Sequence, residues 1–227
     1  TLMVDALRAL VMAPEFLAAI DVHLIETSPA LKKRQQRNLE SLEAEIYWHE
    51  SFTNVPEGPF ILVANELLDA LPIHQYEKSV AGWGERKVGC NDAGELTWLL
   101  DQNAIVPDAF IPGALADEPP GSIFEFCQSG VYLITNIAES IAEFGGAALF
   151  IDYGHERSGI GDTLQAVKDH QYHDVLRDPG KADLTAHVDF QRLAETAQAV
   201  GAATYGPITQ RNFLGPLGIE HRPKQLH

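Results

Sequence analysis

A chain of 227 residues, 45% of them hydrophobic, holds enough apolar material for one large α/β domain or a domain carrying an inserted lobe. Its formal net charge of −16 argues against binding through nucleic-acid phosphates, which needs clustered Lys and Arg, and suits a cationic ligand or a basic protein partner. Cys90 and Cys127 make neither a disulfide framework nor a paired metal motif, so a reducing compartment is expected, and no apolar run approaches transmembrane length.

Residues 2–11 place Leu2, Met3, Ala6, Leu7, Leu10 and Val11 at helical spacing, with Asp5 and Arg8 outward. The chain starts inside this element, and any targeting segment would lie upstream of Thr1. Val22–Ile25 reads as a short strand ending at Glu26. Ser28 and Pro29 then open a helix as N-cap and first helical residue. Its Lys32, Lys33, Arg34 and Arg37 fit a solvated face better than a phosphate site in so acidic a chain. An acid placed like Glu26 accepts hydrogen bonds from ribose hydroxyls in nucleotide-binding α/β folds. The plainer alternative is an ordinary acid at a strand end. Ala44–His49 predicts the next strand, followed by Glu50 and Ser51, where such folds flank the adenine.

The apolar run Phe60–Ala64 predicts a strand buried on both faces. Asn65 would cap a short helix that Pro72 stops. Glu66 and Asp69, three residues apart, would share one face of that helix, with Leu67, Leu68 and Leu71 anchoring the other. Two acids at the carboxyl end of a buried strand stand where ligands bind in open α/β sheets; a solvated first helical turn is the equal alternative.

Residues 73–100 alternate in short runs broken by glycines, and Asn91–Gly94 is a turn signal, so an antiparallel hairpin insertion is expected. Residues 101–122, with Pro107, Pro112, Pro119 and Pro120, read as a loop. Val131–Phe144 predicts an amphipathic helix ended by Gly145 and Gly146. Ala147–Ile151 is a further buried strand, with Asp152, Tyr153 and His155 at its carboxyl edge. The polar stretch 156–187 reads as a long loop; its histidines fit no compact metal motif, so no metal is expected. Asp189–Val200 reads as a last helix, and 202–219 as one or two closing strands. The fold class that follows is α/β, a doubly wound and mostly parallel sheet. Residues 1–72 and 146–227 would form its core, 73–122 an inserted lobe, and 123–145 a helix returning to the core.

Six stretches in order, LIETSP (Leu24–Pro29), NELLDALP (Asn65–Pro72), GAALFIDYG (Gly146–Gly154), GDTLQA (Gly161–Ala166), DPGKADLTAHVDF (Asp178–Phe190) and TQRNFLGPLGI (Thr209–Ile219), resemble the MidA-type S-adenosylmethionine-dependent methyltransferases. The mitochondrial members of that family are protein arginine methyltransferases that assist assembly of respiratory complex I. The resemblance implies a class I, Rossmann-like methyltransferase fold and S-adenosylmethionine as cofactor. Its glycine-rich cofactor loop would lie immediately before Thr1. Thr1, Glu26, Thr27, Glu50, Ser51 and Asn65 would then face the cofactor. Glu66 and Asp69, beside Asn65, would hold a substrate guanidinium as a planar fork, and Asp152, Tyr153 and His187 would line the acceptor side. The implied partner is a basic protein, a complex I subunit by the same resemblance, with no nucleic acid and no membrane insertion. The implied location is the cytoplasm for a bacterial source and the mitochondrial matrix for a eukaryotic one. A nicotinamide-dependent oxidoreductase on the same sheet and a non-enzymatic assembly factor are the rival readings.

Overall fold

A computed structural model describes residues 2–40, 42, 44–104, 106 and 110–219. Thr1, expected beside the cofactor, and Pro107, in the expected loop, lie outside the described residues. The chain divides into two compact units between Gly58 and Pro59.

The first unit runs α1 (Leu2–Leu10), α2 (Pro14–Leu17), β1 (Val22–Ile25), α3 (Pro29–Leu39) and β2 (Ile46–His49). β1 and β2 pair in parallel, Val22 opposite Ile46 and Ile25 opposite His49. β2 begins two residues later than its apolar run suggested. Val4, Leu7, Val22 and Leu39 make the buried cluster, with Met3, Leu10, Leu24, Ile46 and Trp48 packed on it. The inward stripe of α1 is therefore rotated from the expected one: Val4 is inside, Ala6 is exposed, and Leu2 is 57% exposed. Ser28 caps α3 by accepting the Leu31 N–H, and Pro29 is its first residue. Lys33, Arg34 and Arg37 are exposed on it, as a solvated face requires.

The second unit opens with β3 (Phe60–Asn65). β4 (His74–Ser79), β5 (Gly82–Cys90) and β6 (Leu96–Asp101) follow, then β7 (Ile123–Phe126). These last four form an antiparallel sheet in the order β6-β5-β4-β7. The β5–β6 turn closes where Asn91–Gly94 predicted: the Gly94 N–H donates to the Asn91 carbonyl at 2.9 Å. The expected hairpin is present as β5–β6, and Ile123–Phe126 pairs with β4 in the same sheet instead of opening a returning helix. Tyr76, Leu115, Phe124 and Phe126 are its buried core.

α4 (Gln128–Phe144) then packs on α5 (Phe190–Ala199) through Ile134, Ala138 and Ala197, with Phe150 of β8 (Gly146–Ile151) against them. α4 starts three residues earlier than predicted, capped by the Cys127 sulfur on the Gly130 N–H. β3 and β8 pair in parallel from Phe60–Gly146 to Asn65–Ile151. Only glycine fits at 146, where φ is 125° and an added Cβ would stand 2.2 Å from the Phe60 carbonyl oxygen. Among the described strands β8 is the sole partner of β3. Burial on both faces does not hold: side chains of β3 alternate, with Ile61 71% and Val63 49% exposed. Both faces of the run are apolar, so composition could not reveal that only one is covered.

Three further expectations fail. The segment after Asn65 forms no helix; Asn65 is the last residue of β3, and 66–72 is a sequence of turns. The polar stretch 156–187 is not a plain loop. After β9 (Gly154–His155), it holds β10 (Gln165–Lys168), β11 (Gln171–His173) and β12 (Asp183–Thr185), a three-stranded antiparallel sheet in the order β11-β10-β12. Its β10–β11 turn is Asp169-His170, both at positive φ (51° and 62°), the pattern of a two-residue hairpin turn built without glycine. β13 (Val188–Asp189) pairs in parallel with β9. Residues 202–219 contain α6 (Gln210–Leu214) in place of closing strands, because the Thr209 side chain takes the Asn212 N–H and starts a helix. Among the described residues no helix is long and apolar enough to cross a membrane.

Candidate active site

Because β3 and β8 run in register, they end together, and Asp152 emerges beside Glu66. The Glu66 N–H continues the ladder, donating to the Ile151 carbonyl at 2.9 Å. Glu66 then takes φ 48°, a left-handed conformation uncommon for a side chain of this size. One oxygen of Asp152, Oδ2, accepts three successive N–H groups, from Leu67 (3.2 Å), Leu68 (2.9 Å) and Asp69 (3.3 Å). Its Oδ1 accepts the Tyr153 N–H at 2.9 Å. The cap expected from Asn65 is therefore supplied across the sheet by Asp152, which braces the loop. Burial pushes the Asp152 carboxyl above the usual range, and the nearby Asp69 charge adds to this against the N–H donors.

The braced turn sends Asp69 inward and leaves Glu66 outside. Asp69 is 5% exposed, while Asn65 and Glu66 are solvent-exposed at the strand end. The two acids thus share no helix face. Of the expected anchors Leu68 is buried and Leu67 is 42% exposed. The Tyr153 hydroxyl donates to Asp69 Oδ2 at 2.5 Å. Asp69 Oδ1 is buried with no hydrogen-bond partner among the described residues. Burial raises the Tyr153 phenol above its ordinary value and the bond to Asp69 raises it further, against contributions from Thr185 and Gln165. The His187 ring meets the Tyr153 ring edge-on, centroids 5.8 Å apart at 84°. Asp69, Tyr153 and His187 therefore come together, and one carboxylate oxygen is left over. A buried acceptor with no donor costs free energy unless an N–H donor reaches it.

Sequence reasoning passed over the residues that hold this group in place. Three consecutive N–H groups pin the segment 186–188: Ala186 to the Asp69 carbonyl (2.9 Å), His187 to Thr163 Oγ1 (2.9 Å), and Val188 to the Tyr153 carbonyl (3.0 Å). The Thr163 hydroxyl donates in turn to Glu125 Oε2. Glu125 Oε1 accepts from the N–H groups of Thr163 (3.0 Å) and Leu164 (3.1 Å) and from Gln75 Nε2 (2.8 Å). The one signal available was Glu125 itself, a lone acid in the apolar run Ile-Phe-Glu-Phe.

In the first unit Glu26, Thr27, Glu50 and Ser51 gather at the carboxyl ends of β1 and β2, where the Glu26 N–H donates to the His49 carbonyl at 2.9 Å. Glu26 Oε1 accepts the Ser28 N–H and Oε2 accepts Gln35 Nε2, each at 2.9 Å. Ser51 Oγ accepts the Thr53 N–H at 3.2 Å and starts the short 3-10 turn Phe52–Asn54. Thr27 and Glu50 are exposed. Each Glu26 oxygen has one protein donor and keeps a further acceptor direction, so the group fits a diol at this edge.

The sequence profile of a family described as "Putative S-adenosyl-L-methionine-dependent methyltransferase" matches residues 1–208. The protein arginine methyltransferase NDUFAF7 homolog of Caenorhabditis elegans, a mitochondrial protein, is 36% identical over 244 residues, covering 99% of this chain and 57% of the relative. The human mitochondrial protein arginine methyltransferase NDUFAF7 is 35% identical, covering 100% of this chain and 55% of the relative. The chain thus spans about half the length of the curated relatives it matches. A crystallised Burkholderia thailandensis protein bound to S-adenosyl-homocysteine superposes with a TM-score of 0.75 at 28% identity, over 90% of this chain and 55% of that one.

Proposed function

We propose a function from one premise: the chain belongs to this family of S-adenosyl-L-methionine-dependent methyltransferases. The whole protein transfers a methyl group from S-adenosylmethionine to an arginine of a basic partner protein. The observation that carries this reading is the buried Oδ1 of Asp69, which has no hydrogen-bond partner among the described residues, beside the Tyr153 phenol.

When bound, S-adenosylmethionine supplies an electrophilic methyl group on a sulfonium. The chain's residues have to align the acceptor more than to move protons. Asp69 Oδ1 accepts an N–H of the guanidinium, and Tyr153 holds the other oxygen so that the free one keeps its direction. Glu66, exposed at the rim, is the outer arm of the clamp. Carboxylates draw the guanidinium charge toward the nitrogens they hold and leave the remaining nitrogen the better nucleophile. Asp152 fixes the loop, and His187 packs against Tyr153. Glu26 would hold the ribose, with Thr27 beside it, Glu50 and Ser51 would flank the adenine, and Asn65 would lie next to the transferred methyl. Thr1 belongs with this group by its place in the sequence.

The parallel pairs β1–β2 and β3–β8, each followed by acids at its carboxyl end, support a doubly wound class I methyltransferase sheet, with the antiparallel sheet β4–β7 as an inserted lobe. A net charge of −16 supports a basic acceptor. The mitochondrial names of the relatives support a mitochondrial location in a eukaryote, which we take to be the matrix; in a bacterium the location is the cytoplasm, and a complex I subunit as acceptor rests on the family resemblance of the six stretches.

The test is methyl incorporation by the full-length protein from labelled S-adenosylmethionine into an arginine-rich protein, with hydrolysis to identify methylarginine. Label in methylarginine is the expected result. Binding of NADH in place of S-adenosylmethionine would move the reading to the oxidoreductase. S-adenosylmethionine binding with no label transferred would leave an assembly factor.

A further inference from the structure

We propose that Glu125 and Thr163 are positioning residues for methyl transfer: by holding the segment 186–188 they fix Asp69 and Tyr153, so the inserted sheet sets the geometry of the acid site. The reaction concerned is the one proposed above.

A chain of hydrogen bonds leads outward from Asp69. Its carbonyl is held by the Ala186 N–H, and the Tyr153 carbonyl by the Val188 N–H. Between these two, the His187 N–H has a side-chain acceptor, Thr163 Oγ1. Loss of that middle bond frees the two flanking ones to shift together, since three successive residues share one backbone path. The His187 ring, edge-on to Tyr153, moves with its own backbone. Thr163 is itself fixed twice by Glu125, through its N–H and its hydroxyl. Glu125 sits on β7 and is joined by Gln75 of the adjacent β4, which is 4% exposed. Asp162, next to Thr163, accepts from Gln75 Nε2 (2.9 Å) and Arg86 (2.8 Å), so with Glu125 three strands of the sheet, β4, β5 and β7, grip the 162–164 segment. A carboxylate with four donors on it is costly to replace, because an amide presents N–H against N–H. None of these residues needs to touch the acceptor to affect the reaction.

The experiment compares Thr163→Val, which keeps shape and loses the hydroxyl, with Thr163→Ser, which restores it, and with Glu125→Gln, in the full-length protein. The first readout needs no substrate: the 13Cζ resonance of Tyr153 in tyrosine-labelled protein, assigned by Tyr153→Phe. The expected result is a displaced Tyr153 resonance in Thr163→Val and Glu125→Gln and a native one in Thr163→Ser. Single-turnover methylation of an arginine-rich peptide should fall about 10-fold in the first two variants, with unchanged affinity for S-adenosylmethionine, and recover in Thr163→Ser. A Tyr153 resonance unmoved in a folded Thr163→Val or Glu125→Gln protein overturns the proposal, whatever the loss in melting temperature. If the wild type methylates no arginine, the clamp fails, while the Tyr153 comparison still decides whether the lobe sets this geometry.

Discussion

Glu26 and Asp69 both follow the carboxyl end of a strand in a parallel pair, yet their carboxylates are held in opposite ways. Glu26 is half-buried and answered locally, by Ser28 two residues on and Gln35 nine residues on. Asp69 is buried and answered from far along the chain, by Tyr153, with one oxygen unanswered among the described residues. Local partners make Glu26 a preformed acceptor that keeps its shape without a ligand. Distant partners make Asp69 a group whose environment exists only when the whole second unit is folded.

The comparison breaks most visibly at Asp69. Asp69→Asn keeps the shape and loses the charge, and single-turnover methylation should fall roughly 100-fold, the scale of about 3 kcal/mol for a lost charge-assisted contact. S-adenosylmethionine binding measured by calorimetry should not change. Normal turnover in both Asp69→Asn and Glu66→Gln would move the acceptor site toward Asp152, Tyr153 and His187. Next in size is the brace. Asp152→Ala leaves four N–H groups, of Leu67, Leu68, Asp69 and Tyr153, without their acceptor and should cost about 2–3 kcal/mol in thermal unfolding. A loss below about 0.5 kcal/mol would mean that water replaces the carboxylate there. Glu26→Ala should weaken S-adenosylmethionine binding by about 1–2 kcal/mol, because two local donors already share its charge. Unchanged affinity would remove Glu26 from the site.

The smallest effect is in pH. The Tyr153 phenol is raised by burial and by Asp69, so the stability it contributes is fully present below the ordinary tyrosine pKa of about 10 and is lost as pH rises through the folded value. An NMR titration should place Tyr153 above free tyrosine and bring it back toward that value in Asp69→Asn. An unmoved midpoint in that variant would assign the rise to burial alone.

What the sequence disclosed and what it hid divide along the same line. The α3 start at Ser28-Pro29, the turn at Asn91–Gly94 and the Asp189 end of α5 were legible because each signal and its partner lie within a few residues. The loop after Asn65 was misread because Asp152, 83 to 85 residues away, supplies the acceptor that decides its path. The sheet β10–β12 was hidden by polar residues and by a turn without glycine. Glu66 and Asp69 were both legible as candidates, but spacing could not tell that one is exposed and the other buried. Glu125 and Thr163 carried almost no signal, since their partners, each other, Gln75, Leu164 and His187, are brought to them from distant parts of the chain or through the backbone alone.

Glu66 carries one more consequence. At φ 48° its backbone tolerates residues by shape before charge. A saturation library at this position should sort into folded and unfolded members along conformational lines. Gly, Asn and Asp would enter the left-handed well readily, and Val and Ile would be excluded whatever the acceptor requires. The genetic tolerance of position 66 would then report the backbone, and only variants within the tolerated set would report the chemistry.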